Sequence, residues 1–229
     1  MLHSVPVIAL CKVNYTHERP KIPCFRTMKP TPTHPARIIL ARHGETTANR
    51  QGIILGQRDY PLTVEGMAMT RKLAALLPES RQGIIVTSPI GRALTSAGIF
   101  ADQTGWPIRI LDGLAELSCG QWEGKPREVV IPDRRFIRST WEDFPPDGES
   151  YQGAETRVKE AIRHINAILM HDPILVVGHA AVNRVFLKIR LNLSPEQAMR
   201  IQFAHDTLYD TGAAGAQRCQ HHHDLHAYG

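Results

Sequence analysis

Ile38-Ile39-Leu40-Ala41-Arg42-His43-Gly44-Glu45-Thr46 is the stretch around which the rest of the chain is organised. Ile38 to Ala41 are apolar without polar alternation, which reads as a short strand buried on both faces. Arg42, His43 and Gly44 stand where that strand ends, and Thr46 to Asn49 reads as the opening of a helix or turn. In open α/β sheets, ligands bind at the carboxyl ends of strands, near helix N-termini. Arg42 is therefore placed to hold an oxyanion and His43 to attack one. Gly44 is read as letting the backbone come close to a ligand. Three residues recur by chance, and a solvated Arg–His pair capping a strand would explain them as well. The remaining motifs decide.

Bulk properties narrow the classes. With 229 residues the chain can bury one sizeable core or two small ones, and 42% hydrophobic with 21% charged residues excludes disorder throughout. The formal net charge of +5 suits an anionic partner. Lys and Arg are scattered and aromatics are only 6%, so a small anionic molecule is favoured over nucleic acid. Cys11, Cys24, Cys119 and Cys219 form no Cys-x-x-Cys pair, which argues against a zinc site or disulfide scaffold and fits a reducing, cytoplasmic setting. No stretch has the length of a membrane-spanning helix, and Val5 to Cys11 makes a poor secretory signal because it contains Pro6 and no basic residue precedes it.

Residues 1–36, dense in proline, are expected to form a loosely ordered leader, with one domain over 37–211 and a tail over 212–229. Within the domain, Thr63 is a predicted N-cap with Glu65 in the first turn. Gly83 to Ser88 predicts a second buried strand, Pro89 the start of a helix, and Arg92 its first turn. Ile108 to Leu111 predicts a third strand, and Leu114 to Gly124 a glycine-punctuated loop over the sheet. Residues 125–150 read as an insert, or lid, with split charge. Lys125, Arg127, Arg134, Arg135 and Arg138 face only Glu128 and Asp133 in its first part, and Glu142, Asp143, Asp147 and Glu149 fill the second. Most of these charges are expected on a salt-laced surface, with one or two facing a substrate. Gly153 to Met170 predicts an amphipathic helix. Pro173 to His179 repeats the opening plan, a buried strand delivering a histidine, with Ala180 to Leu191 as the helix behind it. Final strands are expected near Arg200–Phe203 and Thr207–Asp210. His221, His222, His223 and His226 read as a solvated terminal run rather than a metal site.

Apolar strands alternating with helices imply a mostly parallel sheet covered on both faces. Its carboxyl edge would gather Arg42, His43, Arg92 and His179, with Glu116 on a loop nearby. A nucleophilic imidazole, two guanidinium forks, a second imidazole and a carboxylic acid make up a phosphoryl-transfer kit. These residues resemble the histidine phosphatase superfamily, the phosphoglycerate mutase-like family. The likeness begins with Arg42-His43-Gly44-Glu45-Thr46 and Asn49, and runs through Leu62-Thr63-x-Glu65-Gly66 and Ser88-Pro89-x-x-Arg92-Ala93-x-x-Ser96-Ala97. It continues with Glu116-x-x-x-Gly120-x-Trp122-Glu123-Gly124, Pro146-x-Gly148-Glu149-Ser150 and Val177-Gly178-His179, in order over about residues 37–210.

The resemblance implies a three-layer α/β/α sandwich and a phosphomonoesterase acting on a small phosphorylated metabolite without metal or cofactor. It implies that His43 becomes phosphorylated, and that Arg42, Arg92 and His179 bind the phosphoryl oxygens with help from Asn49. Glu116 would protonate the leaving alcohol and later deprotonate water. Ala180 departs from a usual glycine. Leu117 and Cys119 stand where the cofactor-dependent mutases carry Arg and Tyr, which favours hydrolysis over mutase chemistry. A phosphoglycerate mutase and a non-catalytic phospho-ligand module are the alternatives. The expected partner is a small phosphate ester, with no nucleic acid and no membrane; a homodimer is left open.

Overall fold

The computed structural model describes residues 37–80, 82–131, 137–168, 173–211 and 217–220, the last by backbone alone. In chain order the first half contains β1 (Ile38–Arg42), α1 (Thr47–Arg50), α2 (Val64–Ala74), β2 (Ile84–Thr87), α3 (Gly91–Thr104) and β3 (Ile108–Ile110). The second half contains α4 (Arg127–Val130), α5 (Tyr151–Asn166), β4 (Ile174–Gly178), α6 (Ala180–Leu191), α7 (Pro195–Met199), β5 (Thr207–Asp210) and β6 (Gln217–Gln220). The strands form one sheet in the order β3-β2-β4-β1-β5-β6. β3, β2, β4 and β1 run parallel, while β5 pairs antiparallel with β1 and β6 antiparallel with β5.

The unbroken apolar runs follow from this arrangement. Ile38, Leu40, Ile84, Val86, Ile174 and Val176 face one side and pack against Val158, Ile162 and Ile165 of α5 and Val182, Val185 and Phe186 of α6. Ile39, Ala41, Ile85, Leu175 and Val177 face the other, against Leu73 and Ala74 of α2 and Ala93, Ala97 and Phe100 of α3. Each fully buried large apolar side chain contributes roughly 1.5–3 kcal/mol, so two such faces outweigh any local strand preference. The mostly parallel three-layer sandwich expected from the sequence is what forms.

The helices that follow β1 and β4 lie on opposite faces, although the two strands are neighbours. The crevice between their carboxyl ends is thus a topological switch point, the place where open α/β sheets bind ligands. His43 and His179 stand one on each side of it.

Several boundaries differ from the sequence reading. Pro89 lies outside α3, whose N-cap is Ile90; the Ile90 amide donates instead to Ser88 Oγ at 3.2 Å. α5 starts two residues earlier than expected, because Ser150 caps it by accepting from Gly153 N, and it ends at Asn166. Arg200–Phe203 is loop, its Phe203 and Ile201 carbonyls taken by arginine side chains rather than a ladder. Inside the expected tail, Gln217–Gln220 pairs with β5, a strand that carries no apolar alternation to announce it. The leader and the terminal histidine run lie outside the described residues.

Candidate active site

Two hydrogen bonds fix the backbone at the end of β1. His43 N donates to the Gly178 carbonyl of β4 at 3.0 Å, and Gly44 N donates to Ser96 Oγ at 2.9 Å. Gly44 has a different purpose from the one expected. A Cβ there would lie 2.7 Å from Thr70 Oγ1 and 2.8 Å from the Gly66 carbonyl, and a Cβ on Gly66 would lie 2.3 Å from the Glu45 carbonyl. The two glycines let the turn after β1 press against α2, so the constraint is packing rather than ligand approach.

His43 is 2% exposed. Its Nδ1 lies 2.8 Å from the Gly44 carbonyl, which can only accept, so Nδ1 carries the proton. Nε2 therefore holds the lone pair, and it accepts from Arg92 Nε at 3.2 Å. Burial, followed by the nearby His179, Arg42, Arg92 and His205, pushes the imidazole well below its ordinary titration range. The ring is neutral and nucleophilic at neutral pH. The rest of the Arg92 guanidinium is held by the Arg58 carbonyl at 2.6 Å and the Gly56 carbonyl at 2.7 Å.

His179, the N-cap residue of α6, is fully buried, with its ring centroid 5.1 Å from that of His43. Its Nε2 lies 2.8 Å from Ser88 Oγ, which already accepts from Ile90 N. Among the described residues the Ser88 hydroxyl proton finds its acceptor in Nε2 alone, which assigns the proton of His179 to Nδ1. Burial, then Arg92 and Arg42, keeps this imidazole neutral as well. Three buried side-chain nitrogen or oxygen atoms lack a partner among the described residues, and two of them are His179 Nδ1 and Arg42 Nε. Arg42 is otherwise held through NH1 to the Phe203 carbonyl at 3.0 Å. Burial lowers its pKa to about 10 against the pull of Glu116, and the guanidinium stays charged.

Glu116 caps α6. Its Oε1 accepts from Leu117 N at 2.9 Å and Val182 N at 3.1 Å, and its Oε2 from Ala181 N at 3.3 Å. Two other acids nearby, Glu45 and Glu123, are committed elsewhere. Glu45 binds Thr63 Oγ1 and Arg50, while Glu123 accepts from Gln57 N, Cys119 N and Ser118 Oγ. Asn49 Oδ1 closes the capping box with Thr46, which leaves Nδ2 as its remaining donor.

A cavity of about 440 Å³ opens here, lined by Arg42, His43, Asn49, Arg92 and Glu116. Five of the six site residues expected from the sequence thus share one wall. His179 is fully buried beside His43 and is not among the residues that line the cavity. Arg138, Arg184 and Tyr151 also line the cavity, and none of them was singled out as a site residue. The charge split of the insert was the only signal for Arg138. His205 was missed too: its Nδ1 donates to the His43 carbonyl at 2.7 Å, steadying the His43 peptide, and burial lowers its pKa to about 3.

A family model described as the histidine phosphatase superfamily (branch 1) matches residues 38–218. The chain belongs to the histidine phosphatase superfamily. This member is 29% identical over 168 residues to the adenosylcobalamin/alpha-ribazole phosphatase of Escherichia coli (strain K12), covering 71% of the chain and 82% of that protein. It is also 29% identical over 177 residues to a probable phosphoglycerate mutase of Yersinia enterocolitica, covering 75% and 82%. Among solved structures, the native mycobacterial glucosyl-3-phosphoglycerate phosphatase superposes with a TM-score of 0.68 at 21% identity, over 76% of this chain and 89% of that one. At that identity the superposition carries the histidine phosphatase fold alone.

Proposed function

We propose that this histidine phosphatase hydrolyses a small phosphorylated metabolite through a phosphohistidine on His43. The observation that carries the reading is the pair of buried donors without acceptors, Arg42 Nε and His179 Nδ1, beside the Nε2 lone pair of His43. An unsatisfied buried donor costs about 1–3 kcal/mol, and phosphoryl oxygens would satisfy both. His179 gives the group its Nδ1–H, Arg92 turns its Nε from the imidazole to a phosphoryl oxygen, and Asn49 adds Nδ2.

His43 Nε2 then attacks phosphorus in line, and the bond from phosphorus to the leaving oxygen breaks. The arginines and His179 hold the charge spread over the equatorial oxygens. Glu116 gives its proton to the leaving oxygen. The Ala181 and Val182 amides at the start of α6 hold that carboxyl group in place. In the second half, water oxygen attacks phosphorus, Glu116 takes the water proton, and the N–P bond breaks to return the Nε2 lone pair. Buried Leu117 and Cys119 favour water over a second substrate molecule as acceptor, because both are apolar or inert where the mutases resembled here carry Arg and Tyr. The reducing cytoplasm is the proposed setting.

The test is phosphate release from a panel of phosphorylated metabolites, with 3-phosphoglycerate and its bisphosphate primer included. Free phosphate is expected. Conversion to 2-phosphoglycerate without phosphate release would make the protein a mutase, and no turnover of any ester would leave it a binding module.

A further inference from the structure

Five guanidiniums line the cavity, those of Arg42, Arg92, Arg127, Arg138 and Arg184, against one carboxylate among the described residues, Glu116. A phosphomonoester brings at most two negative charges, and Arg42 and Arg92 already flank His43 to meet them. Arg127, Arg138 and Arg184 are left over, and of these Arg138 is the buried one that the insert supplies. It comes from the insert and is 2% exposed. Its Nε donates to the Glu149 carbonyl at 2.5 Å and its NH2 to the Ser118 carbonyl at 2.7 Å. Both acceptors are neutral, and no carboxylate pairs with it among the described residues. The Cys119 thiol is a third neighbour of the fork, and of the five N–H donors of a guanidinium about two remain for another acceptor. The face of the Tyr151 ring, 5.5 Å from the guanidinium carbon, steadies the cation without neutralising it. Burying a cation without a counter-ion is costly, and a planar fork on a cavity wall matches a carboxylate or phosphate in two-point contact.

We propose that Arg138 binds a second anionic group of the substrate, a carboxylate or a second phosphate carried by the leaving alcohol. This rests on the phosphatase reading for the position of the first group. It also gives the insert its purpose: Arg138 ties it to the loop at Ser118 and turns that tie into a specificity contact. The preferred substrates are then phosphate esters of hydroxy acids, or bisphosphates, rather than esters of neutral alcohols.

The experiment is calorimetric titration of the full chain with alkylphosphonates, with phosphonoalkanoates and with alkane bisphosphonates, in a short homologous series of matched lengths. At one length or more, the doubly anionic ligand should bind about tenfold more tightly than its alkylphosphonate. Whether the carboxylate or the bisphosphonate arm gains more names the second group. Arg138→Met should cut the advantage to about twofold while changing alkylphosphonate affinity by less than about threefold. Arg138→Lys, which keeps the charge and loses the fork, should keep part of the advantage, and it carries the test if the Met variant does not fold. Equal affinity for both kinds of ligand at every length in the unaltered chain overturns the proposal. An advantage that Arg138→Lys leaves unchanged overturns it too, as does an equal weakening of both kinds by Arg138→Met, the result of a purely structural strap. Because binding needs no turnover, tight doubly anionic binding without hydrolysis of any phosphate ester would refute the phosphatase reading and leave the subsite standing.

Discussion

β1–His43 and β4–His179 are the same device used twice, a buried parallel strand that ends in an imidazole at one crevice. The rings lie 5.1 Å apart, yet they are wired in opposite senses. His43 is tied through Nδ1 to its own chain, at the Gly44 carbonyl, and offers Nε2 as a lone pair. His179 is tied through Nε2 to Ser88 and keeps its proton on Nδ1. One ring presents a lone pair and the other an N–H. The lesson is that the strand-end position sets where a histidine sits, while its hydrogen-bond partner sets what it does. Burial makes both readings firm, because it keeps both rings neutral.

The sharpest way to break this comparison is to remove each ring. His43→Ala should abolish turnover, a loss of about 10⁵-fold or more, as for an essential nucleophile. His179→Ala should cost about 10²–10³-fold, the loss of one preorganised donor. Similar losses in steady-state rates on an aryl phosphate would show the two rings to be equivalent. Glu116→Gln should slow an alkyl phosphate by about 10²–10⁴-fold and an activated nitrophenyl phosphate by far less, because only the poor leaving group needs the proton. Equal losses on both substrates would reassign Glu116 to binding or folding.

Ser88→Ala tests the wiring itself. It frees His179 to exchange tautomers and should lower kcat by roughly tenfold; because it also removes the acceptor of the Ile90 amide, the melting temperature should fall by a few degrees, as for a loss of about 1–3 kcal/mol. No change in kcat would show that Ser88 does not set the His179 proton. The smallest effect is on stability against pH. Unfolded imidazoles take up a proton as pH falls through about 6.5, but His43 and His179 stay neutral well below that in the fold, and His205 does so to about 3. Stability is therefore full above pH 6.5 and falls below it, by at most ~1.4 kcal/mol per pH unit for each histidine. Urea midpoints at pH 7.5 and 5.5 should show the loss, and His205→Asn should reduce it; a pH-independent midpoint would mean the rings are charged or solvated.

The apolar runs made the sheet legible, because a strand covered on both faces has no polar alternation to disguise it. The strand-end residues made the site legible for the same reason, since Arg42, His43 and His179 stand at the end of such a run and Arg92 in the first turn of the helix after one. Burial of a charged residue by tertiary packing left no such trace. Arg138 reads as one base among several in a charged insert, and only the fold shows it enclosed between Ser118, Glu149 and Tyr151. His205 follows no strand, and its contact with the His43 carbonyl spans a separation of 162 residues. Gly44 was legible as a constrained position, but the constraint is Gly66 on α2.

The most direct measurement is the linkage of the trapped phosphoryl group. A rapid quench of the full chain with excess phosphate ester, followed by phosphorus NMR and peptide mapping, should give one acid-labile, base-stable phosphate on Nε2 of His43. The label should be absent from His43→Ala, and it should form slowly but at the same atom in His179→Ala. Phosphate on Nδ1 of His43, on His179 or on any other residue would contradict the account, as would ester hydrolysis with no phosphoenzyme formed.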